Sequence, residues 1–213
     1  MTELYIPDPA DRETLGAFIA RAVRLDGNAV IRLRSRGPGV LEAWAATPFD
    51  VLVTRAVEGE VTPSDVSVSG SELLAALTVT PGERMDPGPP RDLLWRSELP
   101  AQGGGGWQQV DTLPAAVVAD LADRGVELAR ENVGPQGTPP ASLMDQTVLT
   151  VSGGSFEIKV PMRCLFALSG MGFVDTSVAD DVVRVTATDS WLRLDARYGA
   201  VLRRRHALLP LLL

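Results

Sequence analysis

Apolar residues recur at three- and four-residue spacing through Leu15, Phe18, Ile19, Ala22 and Val23, with Arg12, Glu13, Arg21 and Arg24 off that line. This period predicts an amphipathic helix opened by residues 9–11. Asp26-Gly27-Asn28 is expected to stop it, because Gly and Asn tolerate the left-handed conformation that ends helices. Three extended segments follow at 29–35, 40–46 and 50–57. Arg36-Gly37-Pro38-Gly39 turns the chain between the first two, and Thr47-Pro48 breaks the next junction. After Val66-Ser67-Val68, the pattern Ser69-x-x-Glu72 reads as a capping box leading into a short helix with Leu73, Leu74 and Leu77.

Residues 79–106 carry Pro81, Pro87, Pro89, Pro90 and Pro100 among Gly82, Gly88 and the run Gly103 to Gly106. Such a segment reads as a boundary, with Leu93-Leu94-Trp95 as one short strand. A second long helix is expected from Leu113 to Glu131, with Thr112 as its cap and Pro114 in the first turn. Its apolar side is drawn through Val117, Leu121, Leu128 and the small Ala residues. Asn132 to Pro140 is another Gly/Pro loop.

Two hairpins are strongly patterned. A Gly153-Gly154 turn would set Val151 against Phe156, Leu149 against Ile158 and Thr147 against Val160, with Thr150 against Glu157 on the other face. An Asp189-Ser190 turn would set Ala187 against Leu192, Val185 against Leu194 and Val183 against Ala196. Its other face pairs Thr186 with Arg193 and Arg184 with Asp195, opposite charges across the strands. A one-residue slip would put each apolar set in water, which fixes the register. Between the hairpins, Pro161 to Gly170 reads as a short helix.

Composition changes this picture little. Apolar residues make up 45% and charged residues 22% of 213, which excludes wholesale disorder. A net charge of −7 argues against nucleic acid binding over the whole surface. Lys159 is the only lysine, so arginine supplies the rest of the positive charge, as in GC-rich coding sequences. One cysteine and one histidine exclude an intrachain disulfide and the usual Cys- or His-rich zinc sites. No secretory signal is read at the N-terminus, and the longest apolar run, Ala207 to Leu213, falls far short of the about 20 residues a spanning helix needs. A cytoplasmic location is the expectation.

Candidate chemistry is thin. Gly103 to Gly106 precedes a helix but lacks the Walker and dinucleotide spacings, so a linker explains it better than a phosphate cradle. Cys164 among Met162, Leu165 and Phe166 reads as a buried thiol rather than a nucleophile paired with His206. Asp180-Asp181 reads as a solvated turn before a strand, short of the oxygen ligands a cation needs. The tail from Arg203 joins basic and apolar residues, and a strand whose end docks on protein suits it better than membrane attachment. Trp44, Trp95, Trp107 and Trp191 are too dispersed for an aromatic ladder and read as packing residues. No catalytic, cofactor-binding or metal-ligating residue is assigned, and no cofactor is expected.

The two halves follow one plan of helix, paired strands, short helix and extended chain. Leu74, Ala76 and Leu77 match Leu165, Ala167 and Leu168 at one offset, and Val66 and Val68 match Ile158 and Val160 one residue further on. Duplication accounts for this order. The element order resembles the domains of DNA sliding clamps, in which a short helix follows a strand ending in a Val-Pro or Val-Ser step. Val66-Ser-Val-Ser-Gly-Ser-Glu-Leu-Leu-Ala-Ala-Leu77 and Ile158-Lys-Val-Pro-Met-Arg-Cys-Leu-Phe-Ala-Leu168 look like that step, although strands are short in number after Leu77. The chain otherwise resembles conserved proteins of GC-rich bacteria.

The fold expectation is α+β: two similar halves, 1–80 and 111–213, joined by a Pro/Gly-rich linker at 81–110, each with antiparallel strands covered by two helices. The leading functional expectation is a non-catalytic scaffold or regulatory module that binds a macromolecular partner. A clamp-like DNA-associated protein ranks second, and an enzyme or small-molecule binder using the groove between halves ranks last. A protein partner, with a homodimer or ring through edge strands, is expected ahead of DNA, and no membrane.

Overall fold

The computed structural model describes residues 2–101, 106–131 and 140–205. By its internal contacts the chain divides into two units, Met1–Gln102 with Gly170–Gly172, and Gly103–Ser169 with Phe173–Leu213. The expected Asn132–Pro139 loop, the glycines 103–105 and the tail from His206 lie outside the described residues.

The first unit runs β1 (Glu3–Tyr5), α1 (Pro9–Leu25), β2 (Val30–Ser35), β3 (Val40–Ala46), β4 (Leu52–Glu58), β5 (Glu60–Thr62), β6 (Asp65–Ser69), α2 (Gly70–Val79) and β7 (Arg84–Met85). Asp8 caps α1 by accepting from the Ala10 N–H at 2.7 Å, and Pro9 follows it, where a missing N–H costs nothing. Leu15, Phe18, Ile19 and Ala22 are buried along one face, each large side chain gaining about 1.5–3 kcal/mol from leaving water. The helix does not end through a left-handed residue. Asp26 is extended, its carbonyl accepts from Ala29 N–H, and its carboxylate accepts from Asn28 N–H, so an Asp-centred turn stops the helix where Gly27 was expected to.

Antiparallel pairing gives the order β6-β2-β3-β4, with Leu33 opposite Ala43 and Val66, and Trp44 opposite Thr54. The turn at 36–39 uses Gly37 and Gly39 at φ 95° and 72°, values that favour glycine. A second small sheet, β5-β1-β7, sets Leu4 opposite both Val61 and Met85. Its strands have two or three residues each, too few to show a period in the sequence. Ser69 caps α2 and accepts from Glu72 N–H, but the Glu72 carboxylate pairs with Arg91 at 3.4 Å. The expected strand at Leu93–Trp95 is instead a 3-10 turn, Asp92–Leu94, lying against β6.

The second unit runs β8 (Gln108–Pro114), α3 (Ala115–Glu131), α4 (Ala141–Met144), β9 (Thr147–Gly153), β10 (Phe156–Pro161), α5 (Met162–Gly170), β11 (Val182–Ala187), β12 (Trp191–Ala196) and β13 (Gly199–Arg204). Its strands pair in the order β13-β12-β11-β8, and β9 pairs with β10. The expected helix start at Leu113 and Pro114 is the end of β8: Leu113 faces Val183, Pro114 faces Val182, and the Ala115 N–H donates to Asp181 O. Because β8 is the last strand in its order, the N–H that Pro114 lacks is not needed by a neighbour.

The buried face of α3 is also not the expected one. Ala115, Val118, Ala122, Gly125 and Ala129 are buried, while Val117 and Leu128 stand 45% and 44% exposed. Gly125 shows why: a Cβ there would lie 2.4 Å from Met162 Sδ and 3.1 Å from Phe166 Cε1. Small residues let α5 come close, so the large apolar ones turn outward.

The β11–β12 hairpin has the expected register, with Ala187 opposite Leu192 and Val185 opposite Leu194. Its charges are partnered otherwise: Asp195 pairs with Arg193 at 2.6 Å rather than with Arg184 opposite. In the β9–β10 hairpin the turn is Gly154-Ser155, and Val151 faces Ile158, two residues from the expected Phe156. The alternation of faces survives a two-residue shift, so the apolar set is the expected one.

Candidate interaction surface

The residues weighed for chemistry do not converge. Cys164 is fully buried in α5, and burial pushes its thiol up to about 12, which keeps it protonated and unreactive. His206, already set aside as its partner, lies outside the described residues. Asp181 pairs with Arg197 at 3.1 Å, and Asp180 takes a left-handed turn conformation, φ 58°. No group of three His, Cys, Asp or Glu side chains among the described residues could hold a metal ion. Trp44 is buried and donates to Glu42 at 3.3 Å, while Trp191 is buried under the Arg204 guanidinium. A cleft of about 660 Å³ in the second unit is lined by Leu128, Pro140, Ser142, Leu143, Asp145 and Gln146. Asp145, its one charged lining group among the described residues, is already bonded by Arg163 at 2.5 Å and Arg203 at 3.5 Å.

What the structure does assemble is the use made of helix-borne arginines. Arg12 of α1 reaches the end of α2, where its guanidinium donates to the carbonyls of Leu77, Thr80 and Gly82. The Leu77 carbonyl is among those a helix end leaves without intrahelical partners, at the negative end of its dipole, while Thr80 caps the helix and Gly82 lies in the turn beyond it. Arg21 donates to Met171 O at 2.8 Å and Gly172 O at 3.0 Å, and Arg24 to Gly170 O at 3.4 Å. Arg124 pairs with Asp120 one turn back at 2.8 Å, and Arg163 is buried against Asp145. Arg130 shares α3 with Asp120, Asp123, Glu127 and Glu131, and α2 has no basic residue at all. The exposed face of α3 therefore joins apolar Val117 and Leu128 to a surplus of carboxylates.

Two polar clusters escaped the sequence reading. Asp175 accepts from the Ser177 hydroxyl and N–H and from the Tyr198 hydroxyl at 3.0 Å, and these bonds hold its carboxyl below the usual range. The same Asp175 raises the Tyr198 hydroxyl. The Asp-x-Ser spacing at 175–177 is a local turn signal that could have been read; its pairing with Tyr198 could not. The second cluster joins Ser67 of β6 to Arg91 and Asp92.

No curated protein matches the chain in sequence. Among solved structures, the Caulobacter crescentus beta sliding clamp superposes with a TM-score of 0.58 at 13% identity, over 98% of this chain and 66% of that one. The DnaN sliding clamp (DNA polymerase III subunit beta) of Bartonella birtlesii gives 0.56 at 11%, over 99% and 67%. The beta subunit from DNA polymerase of Streptococcus pyogenes gives 0.57 at 7%, over 96% and 64%. The chain thus spans about two thirds of the length of the clamp chains it matches, and at these identities the likeness is one of fold.

The fold is α+β and clamp-like with two similar halves, each placing a short helix directly after a strand that ends at Ser69 or Pro161. Among the described residues the halves distribute their strands differently: five lie between α1 and α2, but two lie between α3 and α5, with three more after α5. No helix among the described residues is long and apolar enough to cross a membrane. The model of a domain of unknown function, DUF8010, matches residues 1–97. A second, the domain of unknown function DUF8185, matches residues 102–208, half of the chain, and it is to this DUF8185 family that the chain belongs.

Proposed function

We propose that the chain is a non-catalytic scaffold or regulatory module built on a clamp-like fold, and that its partner is a protein rather than DNA. The observation that carries this reading is the fate of the helix-borne arginines. Arg12, Arg21 and Arg24 spend their donors on backbone carbonyls, and Arg124 and Arg163 on carboxylates. Affinity for duplex DNA comes largely from cations that neutralise phosphates and release counterions. Arginines whose donors are already partly engaged by carbonyls and carboxylates have fewer left to offer a phosphate. The carboxylates of α3 repel phosphate, whereas a protein surface with basic and apolar groups complements that face.

Duplex DNA is the alternative, favoured by the likeness in fold to the sliding clamp and beta subunit of DNA polymerases. A catalytic role has the least support, since among the described residues no activated side chain lines the cleft at Leu128 and Leu143. Titration of labelled duplex at two salt concentrations decides between the first two. The expected result is no binding in the micromolar range at physiological ionic strength. Tight binding that weakens steeply with salt, and is lost when Arg21, Arg24 and Arg124 are changed to Glu, would reverse the order.

A further inference from the structure

Strand β6 ends the order β6-β2-β3-β4, so one of its long sides faces away from β2. An antiparallel strand in that position leaves alternate N–H and C=O groups open, and such a row templates pairing with another chain. Ser67 sits mid-strand, opposite Arg32. Both of its backbone groups are taken by a segment that is not a strand. The Ser67 N–H donates to Asp92 Oδ1 at 2.7 Å, and the Ser67 carbonyl accepts from the Arg91 N–H at 2.6 Å. Ser67 is 1% exposed as a result.

The segment is fixed on both sides. Arg91 pairs with Glu72 of α2, the N–H groups of Leu94 and Trp95 close the 3-10 turn on Arg91 and Asp92, and the Arg32 guanidinium lies 5.8 Å from the centre of the Trp95 ring. Upstream, Pro87, Pro89 and Pro90 carry no N–H, so the segment offers little ladder of its own to a further strand.

We propose that residues 91–95 are a strap that closes the β6 edge, so that a second copy of this chain cannot extend this sheet by strand addition. The inference goes beyond the scaffold reading and narrows the expected self-association. A head-to-tail ring needs two different, complementary edges, and with β6 closed no such ring forms through it.

Hydrogen exchange and sedimentation of the full chain test this. In the wild type the Ser67 amide exchanges slowly. In Asp92→Ala it exchanges roughly ten- to hundredfold faster, the range for losing a hydrogen bond to a charged acceptor, while Asp92→Asn keeps an acceptor and keeps the protection. Val66 and Val68, whose backbone groups face β2, stay protected in all three and report that the sheet is intact. In a concentration series by sedimentation, the double variant Arg91→Pro/Asp92→Ala gains a larger species that the wild type and Asp92→Asn lack. If the double variant loses protection at Val66 and Val68, Asp92→Ala alone decides. Fast exchange of Ser67 in the wild type overturns the proposal. So does a variant that has lost Ser67 protection, keeps its sheet, and sediments as the wild type does.

Discussion

Replacing Gly153 by alanine tests the close approach of β9 to β8. A Cβ at Gly153 would lie 2.2 Å from the Val110 carbonyl oxygen, 3.0 Å from its carbon and 3.1 Å from Val110 Cα. All three are backbone atoms of Val110, which sits at a register shift of β8 between the pairs Asp111–Val185 and Gln109–Thr186, so the clash is with main chain and no side chain can swing aside. To reach ordinary contact, β8 and β9 must part by about 1 Å, and overpacking of this kind costs about 1–3 kcal/mol. The stiffer unfolded chain returns about 0.4–1 kcal/mol of that. The net expectation is a loss of about 1–2 kcal/mol, or a Tm lower by roughly 2–8 °C in a protein of this size. Gly154 is the opposite case. It sits at φ 59° with only Gln108 Oε1 nearby, at 3.5 Å, so Gly154→Asn, which tolerates that conformation, stays within about 0.5 kcal/mol of wild type. Urea unfolding followed by circular dichroism, with exchange at β8 and β9 amides to localise the change, measures both. A Gly153→Ala protein as stable as the wild type would refute the close approach of β9 to β8.

Cys164 should react slowly with a thiol reagent in the native protein and quickly after denaturation; rapid labelling of the folded chain would contradict its burial. Burial lifts its thiol from 9.0 to about 12, so the unfolded chain loses that proton first. The stability it contributes is therefore complete below pH 9 and falls as pH rises toward 12, by up to about 1.4 kcal/mol per pH unit, and Cys164→Ala should remove that slope in alkaline melts. Purified protein should carry no stoichiometric metal or chromophore, and elemental analysis or an absorbance spectrum giving one per chain would contradict this reading.

Local pattern was enough wherever the deciding contacts are near in sequence. The register of β11 and β12 follows from a two-residue turn and strict alternation, because any slip exposes Val185 and Leu194. The stripe of α1 and the cap at Ser69 are likewise short-range, and so is the strand-to-helix step at Ser69 and Pro161 that carries the likeness to sliding-clamp domains. Periodicity fixes which residues share a face, but it does not say which neighbour that face meets. On α3 the larger side chains marked Val117, Leu121 and Leu128 as inward, yet the approach of Met162 and Phe166 demanded Gly125 and its alanines there instead. Gly153 looked like a turn residue and proved to be the place where two backbones nearly touch. Charge composition was fully legible too, but the aim of each arginine was not. Arg12 finds helix-end carbonyls about 65 residues away, and Ser67 finds Asp92 across 25, and such pairings depend on where the chain returns in space. A hydrogen bond is satisfied by any partner of the right geometry, so only the packed tertiary structure selects one. That selection set the arginines of α1 on carbonyls at the ends of other elements and an open sheet edge under a strap.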